Sequence, residues 1–95
     1  MSMEINLDSQ VRIKDDVLFQ ELQGEAVLLN LNTGVYFGLD QIGTRIWQLL
    51  QDDGALSRVM EVVLEEYDVP PDILAQDLVE LVRQMKQQDL LVEVS

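Results

Sequence analysis

The first part of the chain alternates short apolar runs with turn residues, a pattern typical of β-strands. These runs are rich in β-branched and aromatic residues and lie near 17–22, 25–31 and 35–39. Turns separate them at 23–24 and 32–34, and Gly34 can adopt the positive φ that a three-residue hairpin loop requires. We therefore predict a three-stranded antiparallel meander.

After residue 39 the hydrophobic period lengthens to that of a helix. Asp40 can cap a first helix by accepting a hydrogen bond from a free first-turn N–H, and the Asp-Asp-Gly sequence at 52–54 ends this helix. An amphipathic stripe that begins at Leu56 predicts a second helix, which runs to about Tyr67.

Two prolines, Pro70 and Pro71, separate the second helix from a third. A proline cannot continue a helix but is well tolerated as its first residue, so the third helix is predicted from there to about residue 88. The apolar tail at 90–94 is consistent with a final short strand. Strands followed by helices indicate the α+β class. We predict one domain over 1–95, winged helix-turn-helix-like, with a three-stranded antiparallel sheet followed by three helices.

Charge restricts the partners of this chain. The 95 residues contain 18 acids and 6 bases, a formal net charge of −12. Such a surface repels phosphate backbones and anionic lipid headgroups, which disfavours nucleic acid and membranes. No apolar run approaches the roughly 18 residues of a membrane-spanning helix, and the first residues do not resemble a secretory signal. We therefore expect a cytoplasmic location.

The chain contains no cysteine and no histidine. Cys-His and Ser-His-Asp nucleophilic systems and the usual zinc ligand sets therefore cannot be assembled. Three glutamates, Glu61, Glu65 and Glu66, fall where a solvated helix face is expected and not in a pocket that would shift their pKa values. We expect neither catalysis nor a cofactor or metal ion.

Two other classes of function remain open. A winged-helix transcriptional regulator would read DNA with the third helix, but that helix carries Asp72, Asp77 and Glu80 and lacks a basic stripe. An acidic acyl-carrier-like protein needs a modified serine at the start of an internal helix, whereas Ser9 comes just before the predicted strands. Neither class fits the chain well.

Residues 34–47 read Gly-Val-Tyr-Phe-Gly-Leu-Asp-Gln-Ile-Gly-Thr-Arg-Ile-Trp. This segment resembles the G-x-Y-(Y/F)-x-L-(N/D)-x-x-G-x-x-I-W signature of PqqD-like proteins, the leader-binding elements of ribosomal peptide biosynthesis. The likeness extends over about residues 17–92, and it looks closer to stand-alone members that serve lasso-peptide clusters. The fold of that family agrees with the fold predicted above from the residues alone.

The resemblance implies a site and a function. In the family, a leader peptide docks as an added strand along the third strand, in the groove between that strand and the third helix. Carried over to this chain, the implied peptide-binding residues are Val35, Tyr36, Phe37, Gly38, Leu74, Asp77, Leu78, Leu81 and Met85. The implied function is non-catalytic: the protein would present the precursor to a separate modifying enzyme or leader peptidase. An exposed strand edge can also pair two copies, so a homodimer stays open.

The motif residues also have structural interpretations. Leu39, Ile46 and Trp47 are expected in the core, and Gly43 is expected where close packing excludes a side chain. Strand alternation should send Tyr36 and its neighbour to opposite faces. We also predict from the sequence that a proline at the Phe37 position removes a ladder donor and abolishes peptide binding.

Overall fold

The computed structural model describes residues 5–94. Within them, two antiparallel sheets pack with three helices. The elements in chain order are β1 (Gln10–Ile13), β2 (Val17–Leu22), β3 (Glu25–Asn30), β4 (Tyr36–Leu39), α1 (Gln41–Asp52), α2 (Leu56–Glu66), α3 (Pro71–Gln87) and β5 (Leu91–Val94).

The predicted meander forms the larger sheet, with strand order β2-β3-β4 and antiparallel pairing throughout. Gln23 and Gly24 join β2 to β3 and both have positive φ, 57° and 84°. Two such residues form the hairpin turn whose twist matches that of the strands. At the second turn, Gly34 has φ 76° and its N–H donates to the carbonyl of Asn30 at 2.8 Å. The predicted three-stranded antiparallel sheet followed by helices is therefore confirmed.

The helices begin where the sequence predicts. The Asp40 carboxylate accepts a hydrogen bond from the Gly43 N–H at 2.8 Å and caps α1. A Cβ on Gly43 would lie 3.2 Å from that carboxylate and 3.3 Å from the Leu39 side chain, so glycine permits this tight turn from β4 into α1. Ile46 and Trp47 are buried, as expected. Helix α3 has Pro71 as its first residue.

The apolar tail forms β5, which pairs with β1, a strand that was not among the predicted elements. The turn after α1 contacts β1, because the Val11 N–H donates to the Gly54 carbonyl at 2.9 Å. A Cβ on Gly54 would lie only 1.7 Å from the Val11 oxygen, so this close approach requires glycine. Ser9 is buried next to β1 and its hydroxyl accepts from the Asn6 N–H. Its position does not match that of a carrier-protein serine.

One buried amide fixes the end of α3 against the sheet. Asn30, the last residue of β3, is 1% exposed. Its side-chain nitrogen donates to the carbonyls of Gln88 and Asp89 at 3.1 Å each, and its oxygen accepts from the N–H groups of Asn32 and Thr33. Because both polar atoms of the Asn30 side chain have partners, this buried amide orients the end of α3 relative to the sheet and leaves no unsatisfied polar group. The contact sets the distance between α3 and the second hairpin.

Helices α1 and α2 are linked at the surface by an ion pair. Arg45 donates from Nε and from its terminal amino group to the two Glu66 oxygens, at 2.7 Å each. This two-point pairing raises the pKa of Arg45 and lowers the pKa of Glu66, chiefly through the side-chain hydrogen bonds.

Over the described residues, no helix combines the length and apolarity needed to cross a bilayer, and no acidic cluster suited to a metal ion is found.

Candidate functional site

Strand β4 lies at an edge of its sheet. Among residues 5–94 it pairs with β3 and with no other strand. The Asn30 N–H donates to the Val35 carbonyl at 3.0 Å, which makes this a hydrogen-bonded pair of the ladder. Hydrogen-bonded and non-bonded pairs alternate along an antiparallel ladder.

The alternation determines which backbone groups of β4 are free. Phe37, two residues after the bonded Val35, directs its N–H and C=O towards Leu28 of β3. Tyr36 and Gly38 lie opposite Leu29 and Val27 in the intervening pairs, so their N–H and C=O groups point away from the sheet. The open edge of β4 therefore presents two donors and two acceptors, one of each from Tyr36 and Gly38.

A cleft of about 550 Å³ adjoins the carboxyl end of this edge. The end of β4 forms one side of the cleft and α3 forms the opposite side, with α1 and the segment before α3 between them. From α3 the lining residues are Ile73, Leu74, Asp77, Glu80, Leu81 and Gln84. From the other elements they are Gly38, Leu39, Asp40, Ile42, Gly43, Ile46, Val69 and Pro70. A free strand edge and a helical wall thus face the same space.

The cleft combines apolar surface with negative charge. Ile73 is 51% exposed at its mouth, and Leu81 and Val69 are half-buried. Its acids are Asp40 and two residues of α3, and none of the described lining residues is Lys or Arg. These features suit an extended apolar segment that carries a basic side chain.

The three acids are not equally free to bind a ligand. Asp40 already caps α1. Glu80 forms an ion pair with Arg83 at 2.8 Å and also accepts from Gln84. The Asp77 carboxylate makes no hydrogen bond or ion pair within the described part of the chain, and the residue is exposed. Asp77 is therefore the acid that is most available to an incoming cation or N–H.

The structure brings together four of the nine residues predicted for the site. Gly38, Leu74, Asp77 and Leu81 all line the cleft. The remaining strand residues continue the same segment away from it: Val35 is 38% exposed, Tyr36 is 70% exposed, and Phe37 is half-buried against the core.

Leu78 and Met85 lie elsewhere. Both have 0% exposed surface and belong to the core stripe of α3, together with Leu74 and Val82. A helix turns by about 100° per residue, so positions 78, 82 and 85 share one face while 73, 77, 80, 81 and 84 share another. Leu78 and Met85 are thus core residues and not cleft residues, which corrects their inclusion in the predicted site.

Three cleft residues of α3, Ile73, Glu80 and Gln84, were not predicted. A signal for them exists in the sequence, because Ile73 is an apolar residue outside the core stripe, and Glu80 and Gln84 follow it at helical spacing.

The alternation of backbone directions along β4 also changes the expected effect of the proline substitution that was predicted at position 37. A proline at position 37 would break the internal ladder with β3, whereas a proline at Gly38 would act on the open edge.

The fold and the cleft together define a class: small α+β, winged-helix-like domains in which an open strand edge faces a helix. A family model described as "Coenzyme PQQ synthesis protein D (PqqD)" matches residues 25–91. The chain therefore belongs to the PqqD family, and the resemblance drawn from residues 34–47 is confirmed. A comparison with curated sequences finds no significant match.

Two solved structures are similar over most of their length. "TbiB1 in Complex with the TbiA(beta) Leader Peptide" has a TM-score of 0.78 and 36% identity, and the match covers 84% of this chain and 93% of that chain. "Lasso peptide synthetase B1 complexed with the leader peptide" has a TM-score of 0.76 and 23% identity, over 87% of this chain and 98% of that one. At that identity the second likeness supports the fold, while the first also supports the family.

Proposed function

We propose that this protein captures the leader segment of a ribosomally synthesised precursor peptide by strand addition to β4. The observation that carries the proposal is the outward direction of the N–H and C=O groups of Tyr36 and Gly38 beside a helical wall. An extended peptide can satisfy these groups as a fourth strand while its alternate side chains enter the cleft. The leader complex of TbiB1, at 36% identity, supports this choice of ligand. The resemblance of residues 34–47 to members that serve lasso-peptide clusters favours a precursor of that class.

Backbone pairing alone gives too little affinity. Two residues with one donor and one acceptor each allow four hydrogen bonds, and each bond contributes about 0.5 to 1.5 kcal/mol net. The total of about 2 to 6 kcal/mol is below the roughly 8 kcal/mol of micromolar binding. The cleft would supply the rest, since burying one large aliphatic side chain contributes about 1.5 to 3 kcal/mol. At mid-range values of about 4 kcal/mol for the ladder and about 2 kcal/mol for each side chain, two apolar leader residues packed against Ile73 and Leu81 reach this total.

The charge of the cleft sets a preference among leaders. Asp77 has no hydrogen-bond or ion-pair partner within residues 5–94, and Asp40 and Glu80 line the same cleft, which contains no Lys or Arg among its described residues. A leader with Lys or Arg within reach of Asp77 would gain a charge-assisted contact and faster association at low salt. An acidic leader would be repelled. The preferred ligand is thus an apolar segment with at least one nearby basic residue.

Capture and chemistry would be divided between two proteins. The chain has no cysteine or histidine for nucleophilic catalysis, and the cleft needs only a strand edge, apolar surface and acids for its proposed task. We therefore assign the chemical step to a separate modifying enzyme or leader peptidase that receives the bound precursor. The complex would form in the cytoplasm, where precursor peptides are translated.

A direct titration tests this function. The fluorescently labelled synthetic leader of the precursor encoded beside this protein's gene is titrated with the purified protein, and anisotropy is recorded. We expect saturable binding in the micromolar range or tighter, competition by unlabelled leader, and no competition by a scrambled leader or by duplex DNA. The absence of saturable leader binding, or equal competition by duplex DNA, would refute the proposal.

A further inference from the structure

The groove between β4 and α3 is held differently at its two ends. At the carboxyl end of β4 the chain itself closes the groove, because Leu39 is followed at once by the Asp40 cap and by α1, which lines the cleft. At the amino end of β4, the second hairpin faces the C-terminal end of α3. Asn30 and Gln88, which meet there, are 58 positions apart in the chain. The width of the groove at this end therefore depends on non-covalent contacts.

The Asn30 side chain joins the amino end of β4 to the C-terminal end of α3. Asn30 pairs with Val35, the residue before β4, through a backbone hydrogen bond of 3.0 Å. Its side-chain nitrogen donates to the carbonyls of Gln88 and Asp89, at 3.1 Å each. The α3 backbone otherwise packs mainly against α2 and β5. These two hydrogen bonds, which we call the Asn30 bridge, therefore connect the two walls of the groove.

The Asn30 bridge uses groups that have few other partners. The last carbonyls of an α-helix have no N–H within the helix to accept from. Asp89 has a φ of 59°, the left-handed conformation that commonly follows a helix. Asn30 is 1% exposed, so water does not replace the two carbonyls, and their loss would leave a buried donor unsatisfied. The end of α3 is thereby held at a fixed distance from the hairpin.

The bridge lies close to the wall that leader side chains would meet. A helix rises about 1.5 Å per residue, so Gln84 lies roughly 6 Å and Leu81 roughly 10 Å from Gln88 along the axis of α3. Both of these residues line the cleft. A gap of only about 0.5 to 1 Å removes a quarter to a half of the dispersion energy of a contact. A small movement at the end of α3 therefore loosens the packing of a leader between α3 and the open edge at Tyr36.

We infer that Asn30 is a positioning residue for leader capture: its bridge fixes the width of the groove at the amino end of β4 and so limits the size of the leader side chains that fit against α3. The inference rests on the proposed leader capture and deepens it. Asn30 is not among the residues that line the cleft, so it acts through the position of α3 and not by touching the leader. Loss of the bridge widens the groove, shortens the lifetime of the complex and relaxes the selection of side-chain size.

Asn30→Asp separates the two tasks of this side chain. A carboxylate still accepts from the N–H groups of Asn32 and Thr33, as the amide oxygen does at 2.9 and 3.2 Å, but it cannot donate to the carbonyls of α3. The hairpin contacts are retained and the bridge is lost. Asn30→Ser is the second variant, which places no charge in the interior. Its hydroxyl can accept from the hairpin, but the side chain is one atom shorter and no longer spans the distance to α3.

Val63→Ala is the matched control for a loss of stability. Val63 is 0% exposed and belongs to α2, which does not line the cleft, so its truncation destabilises the fold without moving the groove. The labelled synthetic leader is titrated at a temperature at which circular dichroism shows every variant folded, and stopped-flow anisotropy gives the association and dissociation rates. A set of leaders in which each apolar residue in turn is replaced by tryptophan measures the selection of size.

We expect both Asn30 variants to bind the leader at least tenfold more weakly than wild type, mainly through faster dissociation, whereas Val63→Ala should bind within twofold of wild type. Wild type should bind at least one tryptophan leader tenfold or more weakly than the native leader. That penalty should fall to threefold or less in the Asn30 variants, because a wider groove accommodates the larger side chain.

Leader affinity within twofold of wild type in the folded Asn30 variants would overturn the inference, because the bridge would then not position the groove. Weaker binding with an unchanged tryptophan penalty, an equal loss in Val63→Ala, or a wild type that accepts every tryptophan leader would reduce Asn30 to a residue of the fold alone. A wild-type protein that binds no leader would refute leader capture itself, and this result is distinct because it requires no variant.

Discussion

Replacement of Gly38 by proline tests the open edge of β4 at a single donor. The Gly38 N–H points away from β3, so proline removes no hydrogen bond of the internal sheet. Proline is tolerated on edge strands when its nitrogen faces outward. Proline restricts φ to about −65°. Gly38 does not have a positive φ, so this restriction does not exclude proline at position 38. We therefore expect a folded variant that lacks one of the two outward donors.

The expected loss of affinity follows from the ladder. Removing the donor leaves a leader carbonyl without a partner in a partly desolvated site, which costs about 1 to 3 kcal/mol. This corresponds to leader binding weaker by roughly 5- to 150-fold. Gly38→Ala is the matched control, because no atom lies within 4 Å of the added Cβ and the N–H is retained. Leader affinity of the alanine variant should remain within about twofold of wild type.

The assay is leader anisotropy at 25 °C, with circular dichroism and urea unfolding to confirm the fold. Phe37→Pro provides a useful contrast, because it removes a donor that points towards Leu28 inside the sheet. That variant should lose stability as well as leader binding. Equal leader affinities for folded Gly38→Pro and Gly38→Ala would refute strand addition at this edge.

Four further predictions concern the cleft and its support. Ile73→Ala should weaken leader binding by about 1 to 2 kcal/mol, since an exposed aliphatic side chain at the cleft mouth is lost, without lowering the urea midpoint. Leu78→Ala should instead lower the free energy of unfolding by about 2 to 5 kcal/mol, because its side chain is fully buried, and unchanged stability would place it outside the core. Gly54→Ala should destabilise by about 1 to 3 kcal/mol, because the Cβ collides with the Val11 carbonyl; urea unfolding with wild-type stability would contradict the close approach. The lowered pKa of Glu66 stabilises the fold above the ordinary glutamate pKa of about 4.3, and this contribution is lost as pH falls through the lower folded-state pKa. Glu66→Gln should therefore be less stable than wild type at pH 7, with a difference that shrinks on acidification, and a pH-independent difference in urea midpoints would argue against the ion pair.

Most of the fold could be predicted because each element carries a local signal. The short apolar runs and turn residues over 17–39, the change of hydrophobic period at Asp40 and the paired prolines before α3 mark the elements without reference to distant contacts. Strand β1 was missed for the opposite reason. It has four residues, and it is stabilised by pairing with β5, about 80 positions later in the chain. A short strand with a distant partner leaves little pattern in the sequence.

The site was less predictable because it depends on two orientations. The rotation of α3 about its axis decides which residues enter the cleft, and this rotation is set by packing of the stripe that contains Leu78 and Met85. The direction of each backbone group on β4 depends on which ladder pair is hydrogen-bonded. That alternation is fixed by the contact between Asn30 and Val35, and the motif at 34–47 does not reveal it.

Amide hydrogen exchange of the free and leader-bound protein tests the central claim most directly. In the free protein, the N–H groups of Tyr36 and Gly38 should exchange rapidly because they point to solvent, whereas that of Phe37 should already be protected by β3. A saturating leader should slow exchange at Tyr36 and Gly38 by tenfold or more, because both groups enter a new ladder. Unchanged exchange at both positions under saturating leader would contradict strand addition at β4.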